Sequence, residues 1–151
     1  MLFAFLAPVV VGVFGDWGSF RSGDHCYAIA RPVVAGGRSN GGRAGGYASI
    51  GDWPARGLRA SLHVRLSGPR DRSADVTLSV GERRFRLVAG TRDAWAADAA
   101  SDRAIVAALR GARSMSVEAV GTGGRPFADS YALTGAATAI DAARLACLGR
   151  S

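Results

Sequence analysis

The sequence predicts a mainly β protein with two helices (α+β): an antiparallel β-sandwich or partial barrel, with one middle helix and a C-terminal helix packed on the sheet. Three observations carry that prediction. Apolar and polar residues alternate with period two in runs between residues 61 and 88, the pattern of strands with one dry face and one wet face. Many of the 21 glycines fall between such runs, where turns are needed. Two stretches, near residues 101–111 and 134–148, space their apolar residues helically instead. With 151 residues, 48% of them hydrophobic, the chain supports one core and not comfortably two.

Taken in order, residues 1–13 form an apolar leader with no charge before Asp16. The run is too short to span a bilayer, which takes ~20 apolar residues, and it fits the apolar region of a secretory signal peptide. The competing reading is a buried first strand, because Val9 to Val13 is rich in β-branched residues. Residues 14–151 make a single domain. Asp16 to Phe20 reads as a short strand with Trp17 as a core anchor, and Cys26 to Val33 as a second. Ala35 to Gly57 holds Gly36-Gly37, Asn40-Gly41-Gly42 and Gly45-Gly46 with little periodicity, so it reads as a long flap with a short strand at Tyr47 to Ile50. Ser61 to Leu66, Asp75 to Val80 and Arg83 to Val88 alternate cleanly, the last two joined by a tight turn at Gly81-Glu82. Asp93 to Ala96 is a further short strand. Ser101 is the expected N-cap of the middle helix, Asp102 complements its dipole, and Gly111 marks its end. Ser114 to Val120 and Phe127 to Leu133 are strands joined by the glycine turn 121–124. The C-terminal helix, Thr134 to about Leu148, carries Ala136, Ile140, Ala143 and Cys147 on one stripe.

Cys26 and Cys147 are the two cysteines. Without a Cys-x-x-Cys pair they make neither a zinc ribbon nor a thioredoxin-like site. In an exported chain two lone cysteines pair, and the alternative is two reduced, buried thiols. The formal charge is +7, and all 19 basic residues are arginine. They are spread along the chain and form no tight cluster of the kind that marks a nucleic-acid groove. They read as solvated faces, with binding of an anionic polymer as the competing use.

Motifs for chemistry are sparse. His25 and His63 are the two histidines, fewer ligands than a metal site takes even with Asp24 beside His25. Neither a Gly-x-Ser-x-Gly elbow nor a Walker-type phosphate loop occurs. No catalytic residue, metal or cofactor is expected. Among the tryptophans, Trp17 and Trp95 read as core and Trp53 as surface. The flap residues Arg38, Arg43, Tyr47, Trp53 and Arg56 combine cations and aromatic rings on a loop, as binding segments do, and form the candidate contact surface. The competing reading of the flap is an unconstrained insertion.

Several segments resemble the invasion-associated locus B family. Phe14-Gly15-Asp16-Trp17 followed by Cys26 at a strand start resembles the beginning of its mature proteins. The run from Ile105 to Val117 is similar to its helix, glycine and strand. Ser130 to Ile140 is similar to its closing Ser-Leu-x-Gly-(aromatic)-x-x-Ala-(aliphatic) signature. Two departures stand out: Ala136 follows Gly135 where an aromatic is usual, and the cysteine pair that many members carry before the middle helix is absent from Arg92 to Ala96. The resemblance implies an exported β-sandwich-like protein of Gram-negative bacteria, periplasmic or secreted, with no known catalytic residues. The expected function is therefore that of a non-catalytic cell-envelope module. Its partner would be an unknown envelope or host-surface component, with no specific nucleic acid and no transmembrane span. A small envelope hydrolase, with a pocket gathering His25 or His63 and a carboxylate, is the alternative.

Overall fold

The computed structural model describes residues 7–36, 38–39 and 45–148. Among the described residues, twelve strands form one curled antiparallel sheet, a half-barrel, with two helices. The strands are β1 (Val9–Phe14), β2 (Trp17–Ser22), β3 (His25–Ala30), β4 (Val34–Ala35), β5 (Arg38–Ser39), β6 (Tyr47–Trp53), β7 (Leu58–Arg65), β8 (Val76–Val80), β9 (Arg83–Ala89), β10 (Asp93–Trp95), β11 (Ser114–Val120) and β12 (Pro126–Ala132). Their spatial order is β1-β2-β3-β6-β7-β10-β9-β8-β11-β12-β4-β5. The corner is β9, which pairs β8 through residues 83–87 and β10 through residues 88–89.

The residues that alternate in the sequence alternate in space. Leu62 and Val64, and Val76, Leu78 and Val80, point inward, fully buried or nearly so. The middle helix α1 (Ala99–Gly111) seats Ile105 and Leu109 in this core and packs against β7, β8 and β9. Its N-cap is Asp98, whose carboxylate accepts from the Ser101 N–H at 2.7 Å. The helix thus starts before the expected Ser101. Asp102 takes a second role, accepting from the Leu62 N–H of β7 at 2.8 Å.

The C-terminal helix α2 (Ala136–Leu148) buries the predicted stripe Ala136, Ile140, Ala143 and Cys147, together with Ala139. These side chains are short, so the helix lies close against β1, β2 and β3. The Ser19 hydroxyl donates to the Ala139 carbonyl at 2.6 Å. Trp17, fully buried, donates from Nε1 to the Ala132 carbonyl at 2.9 Å and ties the start of the chain to β12. The curl is fastened by Asp129 of β12, also fully buried. Its carboxylate accepts from the Gly36 N–H, the Ser67 N–H and the Ser67 hydroxyl, which joins β12 to the turn after β4 and to the end of β7.

Val9 to Val13 lies in edge strand β1, paired with β2, as the competing strand reading has it, but its valines are exposed and not buried. Two local expectations change. The flap is in good part ordered strand, above all β6. Its alternation is hidden in the sequence because the outward residues Ser49 and Gly51 are small and buried too. Arg70 departs from the reading of arginines as solvated faces: it is 9% exposed, and its guanidinium donates to the carbonyls of Asp71, Ala74, Ala89 and Gly90.

Candidate functional site

The candidate contact residues fall in three places. Tyr47 and Trp53 stand at the two ends of β6, on the outer face of the sheet, and Arg56 is exposed in the single 3-10 turn Pro54–Arg56 that follows. Arg38 belongs to β5. Arg43 lies outside the described residues.

Strand pairing builds a larger constellation around Tyr47 and Trp53. The ladder sets Phe20 opposite Tyr27 and Ser22 opposite His25, both pairs facing outward. Four rings therefore line up across β2, β3 and β6. Phe20 and Tyr27 are stacked at 5.6 Å, Tyr27 and His25 at 5.4 Å, and His25 and Trp53 at 4.8 Å with planes 5° apart. The Trp53 ring lies back over Gly51, where a Cβ would meet it. The cross-strand pairs among them, Phe20–Tyr27 and His25–Trp53, are of a kind that contributes roughly 0.2–1 kcal/mol each to a sheet. Burial and the neighbouring Tyr47 push the Tyr27 hydroxyl above its ordinary value, so it stays neutral at physiological pH.

A second cluster sits farther along the same face. His63 of β7 stacks on Trp95 of β10 at 5.6 Å and meets the edge of Tyr47 at 5.4 Å. His63 Nε2–H donates to Asp93 Oδ1 at 2.8 Å, and Arg65 Nη1 donates to Asp93 Oδ2 at 2.7 Å. Partial burial works against the Asp93 anion, but the two hydrogen bonds outweigh it and hold the carboxyl below its usual range. Trp95, expected in the core, is 42% exposed. The inward residue of β10 is Ala94, and Trp95 shares the outer face with its register partners His63 and Val88. Parity along the strand outweighs side-chain size.

Both histidines therefore have a carboxylate partner, since His25 Nδ1–H donates to Asp24 Oδ1 at 3.2 Å. Ser49 stands opposite His63 in the register, yet no hydrogen bond joins them among the described residues. Around His63, residues 63–65 of β7 are paired with β10 on one side and β6 on the other, while the Ala60 and Leu62 N–H groups of the same strand donate to the Asp52 and Asp102 carboxylates. Among the described residues, no three His, Cys, Asp or Glu side chains are placed to hold a metal ion.

Cys26 and Cys147 form a disulfide with Cα atoms 5.9 Å apart, joining β3 to the last turn of α2. His25, His63, Trp95, Arg65 and Asp93 are the residues of this face that the sequence did not single out as a group. Parity from the buried Cys26 and Leu62 places the histidines outward; which strands adjoin is not written in that parity.

The fold is similar to that of the crystal structure of invasion associated protein B from Bartonella henselae. The TM-score is 0.65 at 20% sequence identity, over 95% of this chain and 99% of that one. No protein-family model matches the sequence, and no curated protein does. No helix among the described residues is long and apolar enough to cross a membrane.

Proposed function

We propose that this chain is an exported, non-catalytic interaction domain of the bacterial cell envelope, and that its contact surface is the outer face of β2, β3, β6, β7 and β10. The observation that carries this reading is the pair of aromatic–histidine clusters on that face, which ends in the partly exposed rings of Trp53 and Trp95. The likeness in fold to invasion associated protein B supports an envelope role. The disulfide supports an oxidising compartment. Binding is favoured over catalysis because the His63–Asp93 pair lies on a sheet face and has no hydrogen-bonded nucleophile among the described residues.

The anionic-polymer reading has less support. Arg65, Arg84, Arg86 and Arg110 are already paired with Asp93, Glu118, Asp75 and Asp141. If a leader is removed on export, cleavage ahead of Val9 keeps β1 whole, whereas cleavage after Val13 deletes most of it.

The test is fractionation of the native host expressing the chain or its Trp53→Ser/Trp95→Ser variant. The expected result is an oxidised wild-type protein in the envelope fraction, and a variant that melts within a few degrees of it but is released into the soluble fraction. Equal envelope retention of a folded variant removes the contact face. Free thiols in freshly isolated protein remove the export reading.

A further inference from the structure

A cleft of about 200 Å³ opens where the C-terminal end of α2 meets the turn after β6. Asp52, Arg59 and Arg144 bring charge to it, and Pro54, Cys147 and Leu148 supply apolar wall. It faces away from the aromatic clusters, because Asp52 is the ladder partner of the inward Cys26.

Asp52 is out of place on packing grounds. The inward residues that precede it in β6 are Ala48 and Ile50, and a carboxylate at this position is 5% exposed. A buried anion is costly without partners. Its hydrogen bond is from the Ala60 N–H to Oδ1, at 2.9 Å. That donor is itself strained: Ala60 has φ +49°, the one non-glycine residue in the left-handed region among the described residues. Strained backbone of this kind costs of order 1–3 kcal/mol and concentrates at binding sites. Arg59 and Arg144 line the same cleft and draw on the Asp52 carboxylate electrostatically. Neither forms an ion pair or a side-chain hydrogen bond among the described residues.

The cleft therefore offers one buried anion and two guanidiniums within a volume too small for a drug-sized ligand, whose pockets run roughly 300–1,000 Å³. A simple anion would be repelled by Asp52. A simple cation would leave both guanidiniums unused. A ligand with both charges on a short frame satisfies all three groups. We propose that this cleft binds a free α-amino acid, with its ammonium on Asp52, its carboxylate between Arg59 and Arg144, and a small apolar side chain against Pro54, Leu148 and the disulfide. This proposal stands independently of the aromatic contact face.

The test is a titration of the oxidised, ¹⁵N-labelled full chain with the standard amino acids, followed by leucinamide and 4-methylpentanoate, which each keep one charge of leucine. The expected result is saturable shifts at Ala60 and along residues 144–148 with an apolar amino acid. Each singly charged analogue should bind at least about tenfold more weakly, because a buried polar group is then left unpaired. Arg144→Gln, at an exposed position, should weaken binding by about tenfold with the rest of the spectrum unchanged, and Asp52→Asn should do the same. Absence of binding by every amino acid at millimolar concentration overturns the proposal. So does a singly charged analogue that binds as tightly as leucine, or an Arg144→Gln protein that binds undiminished. In those cases Asp52 serves to hold the left-handed turn of the backbone at Ala60 and nothing more.

Discussion

At the scale of single residues, several positions are fixed by what their atoms meet. The Tyr131 hydroxyl is buried without a hydrogen-bond partner among the described residues, and burial beside Asp129 pushes its pKa far up. Removing an unsatisfied polar group is neutral or favourable. Tyr131→Phe is expected to leave the urea midpoint unchanged or raise it, and a loss above ~1 kcal/mol would show that the hydroxyl is bonded. Gly135 is the opposite case. Its φ is +85°, and a Cβ there would overlap the Phe14 carbonyl, so Gly135→Ala should cost about 3 kcal/mol or more, read from chemical denaturation. The partly buried Asp93 and the buried Asp52 divide by sign. Asp93 has a depressed folded pKa, so its contribution is present above the ordinary 3.8 and lost as pH falls below it. Asp52 is raised, chiefly by burial against the opposing Ala60 bond, so the fold loses stability as pH climbs through the window just above 3.8. Asp52→Asn should therefore melt higher than the wild type at pH 7, and the gap should close as pH approaches 3.8. A gap that does not change with pH would mean that Asp52 does not titrate. None of this is written in the sequence, where Asp52 and Asp93 look like any other surface acids; their burial follows from pairing with β3 and β7.

At the scale of elements, legibility follows the contrast between the two faces of each strand. Ser114–Val120 is predicted to the residue and β8 and β9 to within one, because most of their outward residues are polar. Only a fragment of strand β6 is legible, since Tyr47-Ala48-Ser49-Ile50-Gly51-Asp52-Trp53 puts small residues outward and an acid inward. Ile105 and Leu109 make helix α1 legible, but not its first residue: both Asp98 and Ser101 are capping residue types, and the choice rests on which side chain reaches an unpaired N–H. Asp98→Ala should cost roughly 1 kcal/mol and Ser101→Ala much less, by thermal denaturation at pH 7. Equal losses would return the cap to Ser101. The helices are also tied to each other, since Arg110 donates two hydrogen bonds to Asp141, at 3.2 and 2.6 Å. Both partners are well exposed, so Asp141→Asn is expected to cost ~1 kcal/mol at most.

At the scale of the whole molecule, the sequence predicted a β protein with two helices but left the choice between sandwich and partial barrel open. The deciding contacts are long-range: Trp17 to Ala132, Asp16 to Thr134, and Asp129 to Gly36 and Ser67. No periodicity encodes them. The cysteine pairing was legible, because Cys26 lies inward on its strand and Cys147 on the buried stripe of its helix. The bond closes a span of 121 residues, worth about 5 kcal/mol on the chain-entropy account. That is comparable with the whole stability of a small domain. Reduction should shift the urea midpoint down accordingly, and an unchanged midpoint would show that the bridge adds nothing. One consequence concerns damage. Arg72 sits exposed in the turn between β7 and β8, inside the covalent ring, so a trypsin-like enzyme that nicks the chain there releases nothing: the two pieces stay linked, travel as one band on a gel without thiol, and part only when thiol is added.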